Sequence, residues 1–436
     1  MFNIYLLSLK INGFKNICKE IKLEFYKKNV DKKFDPREYH IKGIYGENGS
    51  GKTAIVTAVY VLKNLLINQR FLSDSVNQFF LKELLNKTMN DMNMECEVLL
   101  RYKDKNYIFK YSINLNKNAD DVFEINSEQM WSKSGDYVND RYKSVYFIQN
   151  GKIIESQILD ENIKQRTMNL LSSKSLVSSI FEMSVSSDKP AESVSKYFAG
   201  MIVFGARIQT FLDESDQHGD YLYQKGIELI QAGEDIGDIN RFLSNIYQRK
   251  TDAIGSKIPK RLFGKYKERV QKLSEFLMIF KPDLKGIIIE KKEDRIWYRC
   301  NLLLDYGKYR IPTEFESTGI KKLIRIFNCL SAVANGGIAF VDELDSNIND
   351  VYLCKMIEYF LHYTDGQLIF TTHNVSVMGA LKEAKKSIDF LSSINTIHSW
   401  TSRGNAAPDK WYRNGLIDDI PFNIEATDYL GVFEGE

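Results

Sequence analysis

Apolar residues along the chain follow two periods, and the changeovers divide it into three parts. Residues 4–12 and 19–26 read as strands joined by a turn at Gly13. Ile41 to Tyr45 is a short apolar-rich run that predicts a strand, and Ala54 to Leu66 continues at helical spacing. Segments 94–100, 106–115 and 121–126 alternate apolar and polar, as an antiparallel meander does, and Ser144 to Gln149 adds another strand. From Glu161 to Lys281 the spacing turns helical and β-branched runs thin out. No heptad is sustained there, so a compact bundle is expected and not a coiled coil. Residues 286–304 read as two strands around a charged turn. After 318 strand and helix alternate, which implies a parallel sheet covered by helices. The expected organisation is an α/β unit made from 1–160 and 285–436, with a helical insertion at 161–284.

The chemistry gathers at the strand ends of the two α/β halves. Residues 46–53 read Gly46-Glu47-Asn48-Gly49-Ser50-Gly51-Lys52-Thr53, which fits the phosphate-loop pattern at every fixed position. The preceding strand and following helix are the context that pattern needs. Its glycines let backbone amides wrap phosphate oxygens at a helix N-terminus, where the helix dipole favours negative charge. In such a loop Lys52 reaches the β- and γ-phosphates of a nucleoside triphosphate and Thr53 holds Mg²⁺. Hydrolysis also needs a second magnesium partner and a group that orients or deprotonates water. Ile338 to Val341 forms a buried strand, and Asp342 and Glu343 follow at its carboxyl end, where parallel sheets bind ligands. Asp342 is the expected Mg²⁺ partner and Glu343 the general base. A further strand, Gln367 to Phe370, runs into Thr371, Thr372 and His373, and His373 is placed to meet the γ-phosphate or the water.

Composition narrows the partners. The 436 residues carry 59 Lys and Arg against 57 Asp and Glu, a net charge of +2, so any nucleic-acid surface must be local. The sharpest basic cluster is Lys257, Lys260, Arg261, Lys265, Lys267, Arg269 and Lys272. Lys257, Arg261, Lys265 and Arg269 are spaced by four, which would stack them on one helix face as a possible DNA contact. The five cysteines are scattered and outside any metal-binding spacing, which fits a reducing cytoplasm. No apolar run is long enough to span a membrane, and none is expected.

The order of these motifs resembles the ABC-type ATPase heads of the SMC and RecF class. It is most similar to stand-alone ATPases of bacterial anti-phage systems, of the abortive-infection and overcoming-lysogenization-defect-like kinds. The resemblance rests on the phosphate loop, Ser317-Thr318-Gly319-Ile320-Lys321-Lys322, the apolar strand ending in Asp342-Glu343, and Thr371-Thr372-His373. It covers roughly 1–160 and 285–436. It implies a P-loop head with a mixed sheet and an antiparallel β-subdomain, binding ATP with Mg²⁺ and hydrolysing it. It further implies head dimerisation, with Ser317, Thr318 and Gly319 capping the γ-phosphate held by the opposite protomer. Gln149 resembles the glutamine that senses magnesium or water, Asp345 the loop that contacts the dimer partner, and Lys15 and Asn16 the turn beside the nucleotide. The segment from Trp411 to Phe422 resembles the end of such heads. The chain departs from the LSGGQ of transporter subunits, and it carries Asn347-Ile348-Asn349-Asp350 where many relatives have a histidine-proline pair. The role implied is a sensor or regulator of a separate nuclease or toxin effector, since no nuclease motif occurs in this sequence. Two alternatives stand beside it: a DNA-repair or chromosome-maintenance ATPase that binds DNA directly, and a nucleotide-gated scaffold without catalysis.

Overall fold

The computed structural model describes residues 3–27, 29–102, 105–185, 196–212, 256–401 and 407–420. The first strand, β1 (Asn3–Asn12), pairs antiparallel with β2 (Ile21–Glu24). β3 (Ile41–Tyr45) runs into the phosphate loop and helix α1 (Lys52–Ile67), followed by α2 (Ser75–Leu84). Then comes the expected meander: β4 (Asp91–Tyr102), β5 (Lys105–Lys117), β6 (Phe123–Ser134), β7 (Lys143–Gln149) and β8 (Lys152–Ser156). β1, β2 and β4 to β8 form a seven-stranded antiparallel sheet in the order β2-β1-β4-β5-β6-β7-β8. Alternation in β4 turns Met92, Met94, Cys96 and Val98 into the core while the residues between them are half-buried.

Helices α3 (Glu161–Thr167), α4 (Leu176–Val185) and α5 (Lys196–Arg207) lead directly into β9 (Ile208–Phe211). β10 (Ser256–Pro259) and helix α6 (Phe263–Phe280) precede β11 (Gly286–Glu293), β12 (Trp297–Asp305) and β13 (Arg310–Pro312). Strand–helix alternation then gives α7 (Thr318–Ala334), β14 (Ile338–Val341), α8 (Asp350–Tyr363), β15 (Gln367–Thr371), α9 (Val377–Leu381), β16 (Ile388–Leu391), β17 (Ile397–Ser399) and α10 (Pro408–Arg413).

A six-stranded mixed sheet, in the order β17-β16-β3-β15-β14-β9, joins the two ends of the chain. All its pairings are parallel except β16 with β17. Its central strands are buried along their whole length because both faces are covered. Side chains alternate between two cores. Ile338 and Phe340 join the core shared with α1, α4, α5 and the antiparallel sheet, whereas Ala339 and Val341 join the core under α6, α7 and α8.

The described residues of 161–185 and 196–212, expected within the helical insertion, pack with the α/β unit. Leu176, Val177, Phe198, Met201 and Phe204 pack into the same core as Val56, Leu62 and Leu66 of α1. β9 extends the central sheet, with Ile208 opposite Ile338 and Phe211 opposite Val341. Residues 186–195 and 213–255 of the expected insertion lie outside the described residues, as does the tail beyond 420. Helix α6 packs Tyr266, Val270, Leu273 and Leu277 against Leu323, Ile324 and Phe327 of α7.

The expected basic helix face is corrected. Lys257 lies on β10 and Arg261 in a single 3-10 turn, so neither shares a helix with Lys265. Arg269 turns inward, 7% exposed, where its guanidinium lies 5.3 Å from the Phe327 ring and donates to Asn328. The helical stack breaks because the helix begins only at Phe263 and an arginine stem packs well against an aromatic face.

Candidate nucleotide site

The strand order puts three loops side by side. β15 lies between β3 and β14, so the phosphate loop, the Thr371-Thr372-His373 turn and the Asp342-Glu343 turn emerge at neighbouring carboxyl ends of one sheet. In the loop, Gly51 caps α1 with φ 109°, which an L side chain rarely adopts, and a Cβ there would lie 2.9 Å from Ile17. No side chain caps this helix, so its first amides remain available to an anion. The Asn16 side chain borders the same position, its Oδ1 3.2 Å from where that Cβ would sit. The turn that carries Asn16 is pinned from across the sheet: Asn395 Oδ1 accepts from the Cys18 amide at 2.9 Å, and Asn395 Nδ2 donates to the Asn16 carbonyl at 3.2 Å. Lys15, with φ 49°, is exposed, and its amide and carbonyl are held by Leu84 and Asn86.

Lys52 folds over the loop. Its ammonium donates to the carbonyls of Gly46 at 2.9 Å and Glu47 at 2.8 Å, and only 7% of the residue is exposed. Burial lowers its pKa, and the carboxylates of Asp342, Glu343, Asp345 and Glu47 oppose that shift. One cation is therefore surrounded by acids drawn from two loops. His373 stands exposed at the same edge. Partial desolvation lowers its pKa, and the neighbouring Lys52 charge lowers it further.

Thr371 organises the acidic turn. Its hydroxyl donates to Asp342 Oδ1 at 2.5 Å and accepts from the Glu343 amide at 2.8 Å, and its carbonyl accepts from the Leu344 amide at 3.0 Å. The Asp342 amide in turn donates to the carbonyl of Phe211 on β9 at 3.1 Å. Glu343 is exposed and lies at φ 47°.

Ser317 caps helix α7, its hydroxyl accepting from the Ile320 amide at 3.4 Å. Ser317 and Thr318 are exposed, and Thr318 donates to Asn347 at 3.4 Å. A Cβ on Gly319 would lie 2.5 Å from the Asn347 carbonyl, so glycine is required for the helix to touch that turn. This segment meets the turn that follows Glu343. Gln149 ends β7 in the antiparallel sheet, exposed and in register with Ser127 and Lys152. Among the described residues no hydrogen bond joins it to the loop.

The donor set suits a nucleoside triphosphate with magnesium. The Ser50 hydroxyl is buried in the loop without a hydrogen-bond partner, as a group that awaits a ligand would be. The Thr53 hydroxyl and the Asp342 carboxylate are hard oxygen donors of the kind Mg²⁺ prefers. Among the described residues no group of three or more His, Cys, Asp or Glu could hold a metal alone. A magnesium ion here would need phosphate oxygens as well, its common mode in nucleotide sites.

Thr371 and Lys322 fall inside sequence motifs that give neither a role of its own, and nothing in the sequence singles out Asn395 or Tyr412. Thr371 is a polar residue at a strand end, which could have signalled a positioning role. Lys322 belongs to the motif that opens α7, but its contacts, like those of Asn395, were hidden because their partners are distant in sequence. Tyr412, from α10, stacks on Phe390 at 5.4 Å between centroids and backs the start of the loop. Burial and the Glu47 charge push its hydroxyl up to about 12.

Residues 41–379 match the profile of the family described as "AAA domain, putative AbiEii toxin, Type IV TA system". The chain belongs to this family. The matched span holds the phosphate loop, Ser317 to Gly319, Asp342, Glu343 and His373. It carries the nucleotide-binding and ATPase assignment that the motifs imply. No curated protein matches the chain. Among solved structures, the recombination mediator protein RecF-ATP of the RecFOR pathway matches with a TM-score of 0.38 and 13% identity, over 92% of this chain and 100% of that one. No helix among the described residues is long and apolar enough to cross a membrane.

Proposed function

We propose that this chain binds and hydrolyses ATP, and that its nucleotide state controls a separate effector. The observation that carries the reading is the convergence of Lys52 with Asp342, Glu343, Asp345 and His373 at one sheet edge. Lys52 and the loop amides would take the phosphates, and Thr53 and Asp342 would hold magnesium, which when bound would supply neutralising charge to the phosphates. The Glu343 carboxylate accepts the proton of the attacking water, and His373 hydrogen-bonds the γ-phosphate or that water. Ser317 and Thr318, exposed at the start of α7, would complete the site of a second copy, so ATP binding favours head dimerisation. The family description, which names a putative AbiEii toxin and a Type IV TA system, favours a toxin partner over direct action on DNA. The inward turn of Arg269 further reduces the DNA surface that the sequence offered.

Two substitutions test the chemistry. Glu343→Gln should retain ATP binding, accumulate the dimer on gel filtration, and lose turnover by about 100-fold or more. Lys52→Ala should lose binding and turnover together. A Glu343→Gln protein that hydrolyses ATP at the wild-type rate would show that another group is the base.

A further inference from the structure

The turn that presents Glu343 is held from a second direction. Its φ of 47° is a sparsely populated backbone state for a residue with a side chain, and such states persist only where surrounding contacts impose them. The Glu343 amide is fixed by Thr371 at 2.8 Å. Its carbonyl accepts from the ammonium of Lys322 at 2.7 Å, and the same ammonium donates to the Ser346 hydroxyl. Lys322 is 5% exposed and sits 5.1 Å from the centroid of the Phe211 ring. It lies on the first turns of α7, five residues after Ser317. A single buried cation thus ties the helix that begins at Ser317 to both sides of the Glu343 turn. The contact between Gly319 and the Asn347 carbonyl runs alongside it.

We propose that Lys322 is a positioning residue for Glu343, which sets the carboxylate by clamping its backbone carbonyl and makes its placement follow helix α7. The inference rests on the ATPase reading above. Because Ser317 opens that same helix, engagement of Ser317 and Thr318 would reach the Glu343 turn through this ammonium group, beside the contact of Gly319 with Asn347. A neutral side chain of similar length cannot make the two bonds. Arginine keeps the charge and brings several donors, but in a fixed planar fork.

The test is steady-state ATP hydrolysis and nucleotide affinity for the wild type, Lys322→Met, Lys322→Arg, Glu343→Gln and the Lys322→Met/Glu343→Gln double variant. Lys322→Met should lower kcat about 10- to 100-fold, the scale of a small misplacement of a reacting group. Its ATP affinity should stay within about threefold of wild type, a range that leaves binding energy nearly unchanged. Lys322→Arg should recover part of the rate. In the Glu343→Gln background, Lys322→Met should add no further loss, because Lys322 acts through Glu343. Ser346→Ala, which removes one acceptor and threatens folding less, should give a smaller fall in kcat with unchanged affinity. It carries the test if Lys322→Met does not fold. Wild-type kcat in both Lys322→Met and Ser346→Ala would overturn the proposal. Equal losses of kcat and affinity, or full additivity with Glu343→Gln, would do so too, because they indicate a structural role. A wild-type protein without turnover would instead remove the ATPase reading, and this inference with it.

Discussion

At the scale of single residues, charge placement decides the state of the site. Lys52 gains four carboxylate neighbours, yet burial still lowers its pKa. Its charge falls on His373, whose pKa is already lowered by desolvation. The His373 ring is therefore held toward its neutral form, its pKa below that of an ordinary histidine. The sign follows directly: a histidine depressed in the folded state contributes stability above its unfolded pKa and loses it as pH falls below 6.5. Proton NMR of the His373 ring, assigned by its disappearance in His373→Gln, should give a midpoint below 6.5 in the wild type. In Lys52→Ala the midpoint should move up, because one of the two depressing causes is gone. An unchanged midpoint would mean that Lys52 and His373 do not share a field. The sequence alone pointed to both residues, since each belongs to a local motif at a strand end. It could not show that they interact, because that depends on β15 lying beside β3.

Among the elements, the central sheet is fastened by an ion pair that no local pattern announces. Lys42 of β3 and Asp389 of β16 meet at 2.6 Å, 0% and 1% exposed at their side chains. The ammonium also donates to the Lys386 carbonyl at 2.6 Å, and Ser399 donates to Asp389 at 2.6 Å. Burial lowers the Lys42 pKa against the pull of Asp389, so the charge survives only through its partners. Asp389→Ala should therefore destabilise the fold by about 3–5 kcal/mol, whereas Lys42→Met with Asp389→Leu should lie much closer to wild type. Urea unfolding of the two variants checks the contrast, and equal losses in both would refute it. The same distance effect explains what sequence reading gained and missed. Strands of the meander and the loop-bearing strands were readable because β4, β5 and β14 carry clean alternation or unbroken apolar runs. β9 was not, because Ile-Gln-Thr-Phe is four residues long with two polar centres and follows a helix without a break. Its role comes from pairing with β14, more than a hundred residues onward. Arg269 was misjudged for a related reason: spacing by four identifies a helix face only where the helix exists.

For the whole molecule, the central sheet ties β9 to the strand that leads into Asp342 and Glu343, and helix α7 meets the turn after them through Gly319 and Asn347. The proposed dimer would then form on the exposed edge at the start of that helix. Phe315 is 77% exposed there, two residues before Ser317, and an aromatic so placed is a natural anchor for a partner surface. Phe315→Asp should leave the folded monomer almost unchanged, within about 0.5 kcal/mol, as surface substitutions usually are. It should also leave ATP affinity unchanged, because Phe315 belongs to no part of the same chain's phosphate loop. In the Glu343→Gln background, however, it should prevent the ATP-dependent dimer, since a buried carboxylate facing an apolar contact costs several kcal/mol unless it is paired. Light scattering after gel filtration, with and without ATP, separates the outcomes. A monomer for Phe315→Asp/Glu343→Gln beside a dimer for Glu343→Gln places the interface at the start of α7. A dimer in both shows that the heads meet elsewhere, and Ser317 and Thr318 then lose the role that their exposure suggests.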